Sequence, residues 1–366
     1  MESAVLLDAT PLGRDHAARG IGAAVRGMVD GLSRLSAPER PALLITGETA
    51  SPPAGMQAFP VRWPEWRVRH TPDPWPALTV ERRVRRLGAR LFHATQPDLL
   101  PSGMPTVVTC YDLIPAAYPH LFLNGVTHTA EAAAYRRWLN RLPDARLVLC
   151  ISQETADDVV ALGKVDPGRV RVVPLACPPV PEPTGEIPTS PYVLMSGGLE
   201  PHKNPWVVLD ALTRLPAPLR LVMTGPWGGR RVRRVREYAQ RLGVLGRVDM
   251  LGLVTAGRLA ALRANAVAVV VPSLKEGFGL PVLETMTVGV PVVASDTPAL
   301  REVGGDAVRY ESPFDPVGWA DAIAEAWQEP DIRRAAEYGG RSRALTFSWD
   351  RTARLIADAH AEALAG

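Results

Sequence analysis

The sequence is poor in the residues that staple or metallate a fold. Its three cysteines, Cys110, Cys150 and Cys177, are an odd number, lie far apart and include no CxxC pair. That excludes a disulfide framework and a structural zinc site, and points to a reducing, cytosolic setting. The seven histidines never fall at HxH or HExxH spacing, and no DxD occurs. Neither a bound metal nor a diphosphate held through a divalent ion is therefore expected. A GxSxG elbow and a GxxxxGK[ST] phosphate loop are missing as well. No apolar run reaches the ~20 residues that span a bilayer, and residues 1–3 open neither the basic nor the apolar stretch of a secretion signal. An excess of one charge is absent too. The 41 Lys plus Arg stand against 38 Asp plus Glu, net +3, which excludes a general polyanion binder and leaves room only for a local basic patch.

What is present is ordinary globular composition, 46% hydrophobic and 22% charged over 366 residues. A disordered chain is excluded, and at ~100–200 residues per domain the length suggests two domains. Short apolar runs alternate with helix-length amphipathic segments, the pattern of βα units around parallel sheets. In the first half, strands are expected at Val5–Asp8, Ala42–Thr46, 90–93, Thr106–Cys110, 147–151 and 170–174, with a helix over 21–35. In the second, strands are expected at Tyr192–Ser196, Arg220–Thr224, Val248–Gly252, 266–272, 291–295 and 307–310. Helices should start near Asn204, Arg230, Thr255 and Leu280, with two or three more from Asp315 onward, making a doubly wound sheet. Pro178, Pro179, Pro181, Pro183 and Pro188 can continue neither a helix nor a central strand, so 177–190 reads as a linker. It would separate a domain over 1–176 from one over 191–346, with a last helical segment at 347–366.

The most informative stretch is PSLKEGFGLPVLETMTVGVPVVAS, residues 272–295. A strand rich in β-branched residues ends at Pro272, the carboxyl end where open α/β sheets bind ligands. In the loop that follows, Gly277 and Gly279 let backbone approach a ligand closely. Pro281 suits the first turn of the next helix, whose amino end favours an anion such as a diphosphate. Glu276 lies in the loop and Glu284, eight positions on, lies about one turn into the helix. One carboxylate could meet a ligand beside the anion while the other reaches a hydroxyl-bearing ring. The plainer alternative is a tight turn with two solvated glutamates.

Glu276-(x7)-Glu284, inside EGFGLPVLE and before GVPVVASDTPALREV, resembles the family-4 retaining glycosyltransferases of the GT-B fold. MSGGLEPHKNPWVVLDAL (195–212), TGP (224–226), GLV (252–254) and FSW (347–349) agree with that family's C-terminal domain. RGIG (19–22), LFHATQPDLLP (91–101), VTCYDLIP (108–115) and ISQETADDV (151–159) resemble its mannosyltransferase-like branch. The resemblance implies two Rossmann-like domains facing across a cleft, with the last helix packed back on the first. It implies that Glu276 contacts donor-sugar hydroxyls, that Glu284 holds the ribose, and that Gly277, Phe278 and Gly279 offer amides to diphosphate and sugar. Lys203 becomes the diphosphate cation, and Gly198, Thr224, Gly225, Val254 and Leu280 further donor contacts. Relatives often carry Arg near this lysine; here His202 precedes it, which puts a second permanent phosphate charge in question.

Gly20-Ile21-Gly22 lacks the third glycine of a dinucleotide loop, Val25 standing in its place. By resemblance it closes on the diphosphate; otherwise it only starts a helix. Tyr111-Asp112 follows a strand, and a phenol is a poor base near neutral pH. Asp112 either orients the acceptor or caps a turn, and both readings stay open. His93 either lines the same cleft or is structural. Arg62, Arg67, Arg69, Arg82, Arg83, Arg85, Arg86 and Arg90, near Trp63, Trp66 and Trp75, gather positive charge. Val80, Val84, Leu87 and Leu91 recur there at helical spacing. This face either meets an anionic membrane surface or a lipid-phosphate acceptor, or is solvated.

The implied reaction is transfer of a hexosyl group, mannosyl from GDP-mannose first, to an acceptor hydroxyl with retention and without metal or other cofactor. The nucleotide sugar is the substrate, the acceptor is not legible, and nucleic acid is not an expected partner. Three alternatives stand: a UDP-sugar donor, a sugar-nucleotide epimerase on the same fold, and a non-catalytic nucleotide-sugar-binding subunit. Turnover without acceptor would mark the epimerase; the presence of both Glu276 and Glu284 weighs against the last.

Overall fold

The computed structural model describes residues 3–13, 20–46, 52–61, 75–96, 103–123 and 129–366. It divides into two compact units, one of Met1–Pro178 with Phe347–Gly366 and one of Pro179–Thr346.

The first unit is built on β1 (Val5–Asp8), β2 (Ala42–Thr46), β3 (Ala58–Val61), β4 (Leu91–Ala94), β5 (Thr106–Cys110), β6 (Leu147–Cys150) and β7 (Val170–Val172). All pairings are parallel, in the order β3-β2-β1-β4-β5-β6-β7. β1, β4, β5 and β6 are buried along their whole length. A parallel strand covered by helices on both faces reads as a continuous apolar run, which is why these segments were legible. β3 was not expected: it is an edge strand, AFPV, whose Pro60 withholds a ladder donor and breaks the strand pattern. The helix Trp75–Leu87 turns Val80 and Val84 into the core, while Arg82, Arg85, Arg86 and, beyond it, Arg90 stay exposed. Leu91, expected on the same helical face, instead opens β4, because the helix stops before Gly88, whose φ is +73°. Arg62, Arg67, Arg69, Trp63 and Trp66 lie outside the described residues, as do Arg19 and 97–101 of the matched motifs and the side chain of Trp75.

The last helix, Trp349–Ala365, belongs to this unit and lies on the helix Gly20–Ser33. The approach is close: a Cβ on Gly27 would stand 2.1 Å from the Trp349 ring. Ser348 caps the last helix by accepting from Arg351 N, Trp349 Nε1 donates to Cys177 O at 3.0 Å, and Thr352 Oγ1 to Pro174 O at 2.7 Å.

The second unit holds β8 (Tyr192–Ser196), β9 (Arg220–Thr224), β10 (Val248–Gly252), β11 (Ala268–Val271), β12 (Val292–Ser295) and β13 (Arg309–Glu311), all parallel, in the order β10-β9-β8-β11-β12-β13. Its helices include Pro205–Leu212, Gly229–Arg241, Ala256–Ala264 and Leu280–Val288, and a short one, Pro298–Gly304, that the sequence pattern did not suggest. From Asp315 onward four α-helices follow rather than two or three. Residues 177–190 form neither helix nor strand, and their Thr184 N bonds Gly257 O on the Ala256–Ala264 helix. No described helix is long and apolar enough to cross a membrane.

Candidate functional site

In the second sheet the strand order reverses between β8 and β11. Loops leaving neighbouring strands at such a point diverge, and the crevice between them is where open α/β sheets take ligands. Gly198 and Lys203 follow β8, and Glu276, Gly277, Phe278 and Gly279 follow β11. Leu280 and Glu284 are on the next helix, Thr224 and Gly225 are one strand over at the end of β9, and Val254 follows β10.

The two central loops interlock. Leu274 N donates to His202 O at 2.7 Å, and Lys203 Nζ reaches Glu276 Oε1 at 2.7 Å. Ser273 Oγ donates to the same oxygen at 2.6 Å. Glu276 is 8% exposed. Burial alone would raise its carboxyl, but the Lys203 charge, with the hydrogen bonds from Lys203 and Ser273, outweighs it and holds the group below its ordinary value. Glu276 is thus an ionised, oriented carboxylate, suited to accepting hydrogen bonds from hydroxyls rather than to giving a proton. Asn204, in the left-handed region at φ 47°, turns the chain into the helix Pro205–Leu212 and donates to Pro313 O at 2.8 Å. His202 is buried, and burial followed by the Lys203 charge lowers it to about 4, so near neutral pH it carries no charge toward a phosphate.

Gly279 begins the helix Leu280–Val288 at φ 110°, a conformation that favours glycine, and a Cβ there would stand 2.8 Å from Leu300 Cδ2. The positive end of that helix therefore opens beside Glu276. Glu284 pairs with Arg263 from the Ala256–Ala264 helix. Burial raises the Glu284 carboxyl above its ordinary value, with Arg263 opposing. The neighbouring loops are stitched on: Gly197 N bonds Thr224 O, Gly225 N bonds Gly252 O, and Trp227 Nε1 bonds Gly197 O, each at 2.9 Å. Val254 is half-buried beyond an exposed Leu253.

Gly20, Gly22 and Asp112 lie in the first unit. Gly20 is exposed and Gly22 buried at the start of the helix Gly20–Ser33. Asp112 Oδ1 accepts from Ile114 N at 3.0 Å, which is the turn-capping role. Tyr111 has a buried hydroxyl with no hydrogen-bond partner among the described residues, and burial, then Asp8, pushes it up, so it is no base. His93 is structural: Nε2 meets Thr109 Oγ1 at 2.8 Å and Nδ1 meets His360 Nε2 at 2.9 Å. Among the described residues no group of His, Cys, Asp and Glu could hold a metal ion.

Two residues that bond the site's carboxylates were missed from the sequence. Ser273, three positions before Glu276, sits at turn spacing and could have been found. Arg263 comes from another helix and carried no local signal.

Residues 24–179 match the family model described as Glycosyltransferase Family 4, and 180–343 match that described as Glycosyl transferases group 1. The chain is 34% identical over 232 residues to the D-inositol 3-phosphate glycosyltransferase of Xylanimonas cellulosilytica, covering 58% of this chain and 56% of that protein. It is 32% identical over 229 residues to O-antigen chain mannosyltransferase B of Escherichia coli, covering 57% and 58%. These matches span little more than half the length of either relative. A solved sucrose-phosphate synthase from Thermosynechococcus elongatus superposes with a TM-score of 0.77 over 99% of both chains at 18% identity, a likeness of fold. Two adjoining family models thus account for residues 24–343, and the chain belongs to the family-4, group-1 glycosyltransferases of the GT-B fold.

Proposed function

We propose that the protein transfers a mannosyl group from GDP-mannose to an acceptor hydroxyl, with retention of configuration and without a metal. The observation that carries this reading is the Lys203–Glu276–Ser273 cluster at the reversal of the second sheet. Lys203 and the start of the helix Leu280–Val288 would meet the leaving diphosphate as its charge grows, where stabilisation lowers the barrier most. Glu276, kept ionised, would bind and orient sugar hydroxyls. No side chain of the cluster is placed as a covalent nucleophile, so the reading is a same-face substitution in which the leaving phosphate takes the acceptor proton. Mannose is favoured by the likeness to the O-antigen mannosyltransferase.

A thermal-shift series with GDP, UDP, ADP and TDP, each with and without EDTA, tests it. A ligand held only by the folded protein at about 100 times its Kd stabilises by about 2.7 kcal/mol. GDP should give the largest shift, unchanged by EDTA. A larger shift with UDP moves the donor to a UDP-sugar, loss of the shift in EDTA refutes metal independence, and no shift with any nucleotide refutes the site.

A further inference from the structure

We propose that Arg231, from the helix Gly229–Arg241, is the second permanent cation of the diphosphate pocket, and that Glu200 positions it there. The inference rests on the nucleotide-diphosphate reading of the site and adds a residue from a different element.

Charge balance motivates it. The loop from Gly197 to Lys203 and the loop from Ser273 to Gly279 bring in Lys203, Lys275, Glu276 and Glu200, with His202 uncharged. Lys203 is matched by Glu276 at 2.7 Å, and with Lys275 and Glu200 these four groups sum to zero. The two loops by themselves therefore offer a diphosphate no net attraction. Arg231 brings the sum to one positive charge, and the positive end of the Leu280–Val288 helix adds to the pull on an anion.

Geometry places the guanidinium over the same loop. A Cβ on Gly198 would fall 1.7 Å from Glu200 Oε2, so the Glu200 carboxylate lies directly against the backbone of Gly198. Arg231 Nη1 is 3.2 Å from Glu200 Oε1. The absence of a side chain at Gly198 is what lets this pair lie across the loop. Arg231 comes from the first turn of its helix, just after the loop that joins β9 to it, and that loop is tied to Gly197 through Trp227. His202 is within electrostatic reach of Lys203, Glu276, Glu200 and Arg231. Arg231 and Glu200 side chains remain 44% and 37% exposed, open to an incoming ligand. A guanidinium offers five N–H donors in a planar fork suited to phosphate oxygens, so a diphosphate can compete with Glu200 for it.

Calorimetric titration of GDP and of UDP, with guanosine and uridine as controls, decides the matter on Arg231→Gln, Arg231→Lys and Lys203→Gln beside the parent. Arg231→Gln should weaken the better-bound diphosphate by about tenfold or more, the effect of one charged hydrogen bond. The matching nucleoside should bind as before, and the salt dependence of diphosphate binding should become shallower. Arg231→Lys keeps the charge without the fork and should recover part of the loss; it also carries the test if the Gln variant is unstable. Parent-like affinity in Arg231→Gln together with a loss in Lys203→Gln overturns the proposal and leaves the diphosphate reading intact. Binding of neither GDP nor UDP by the parent, or no loss in either variant, overturns that reading and this inference with it.

Discussion

Both sheets reverse their strand order, between β1 and β4 in the first unit and between β8 and β11 in the second, yet the chemistry placed there differs. At the first reversal Asp8 is fully buried and accepts from Thr10 N at 3.0 Å, Thr10 Oγ1 at 2.6 Å and Thr95 Oγ1 at 3.2 Å. Gln96 Nε2 donates to Thr10 Oγ1 at 2.7 Å, which joins the β4 end to the same network. Behind it, His93 is locked between Thr109 and His360. These are short, buried hydrogen bonds that hold two strand ends together. At the second reversal Lys203 and Glu276 form an ion pair, and Lys203 stays partly exposed. The same topology therefore makes a rigid polar junction in one unit and a charged, reachable crevice in the other. A strand-order reversal is a place where a site can be built; accessible charge is what builds it.

The sharpest way to separate the two regions is acid. Burial lowers His360 to about 4, and burial with the His360 charge holds His93 well below its ordinary value. An unfolded histidine takes up its proton near 6.5. Between these values the unfolded chain binds more protons, so stability is complete above about 6.5 and is lost as pH falls toward 4, by up to about 3 kcal/mol for His360, with His93 acting in the same direction. The second unit has one such group, His202, also lowered to about 4, while the raised Glu284 works in the opposite sense, gaining stability as pH falls. Hydrogen exchange at pH 7 and pH 5 should show the larger loss of protection in the first unit, and His360→Leu should flatten its pH dependence. Equal losses in the two units would break the contrast.

Next in size is the distinction between the two glutamates. Glu276→Gln should lower kcat by roughly ten- to a hundredfold, the worth of a charged hydrogen bond. It should leave affinity for free GDP nearly intact, since Lys203 is released rather than removed. Glu284→Gln should weaken GDP binding as well as turnover. It also leaves the buried Arg263 without its carboxylate, so its Tm should fall further than that of Glu276→Gln. Initial rates, calorimetric titration and melting curves on both variants check this, and full turnover in Glu276→Gln would sink the assignment.

The smallest effect concerns the last helix. Gly27→Ala forces a methyl against Trp349 and should cost about 1–3 kcal/mol in denaturant unfolding of the first unit. Trp349→Leu in the same chain should return part of that loss. A Gly27→Ala protein as stable as the parent would mean that the two helices do not approach this closely.

Strand identities followed from the sequence itself, because a parallel strand buried on both faces is largely apolar along its length, as in LVLC and AVVV. The loop carrying Glu276 was legible for a similar reason: glycine, proline and acid at the end of an apolar strand constrain local backbone and charge together. Edge strand β3 and the short helix Pro298–Gly304 were not legible, since neither has enough periodic apolar residues to stand above its proline. Only the tertiary structure decided which charges meet. Lys203 with Glu276, Arg263 with Glu284 and Arg231 with Glu200 are 73, 21 and 31 residues apart. The His93–His360 contact joins positions 267 residues apart. Hydrophobic period is a local property and survives in one dimension. The partner of a charge is set by where the sheet order brings separate loops and helices together, and no local pattern records that.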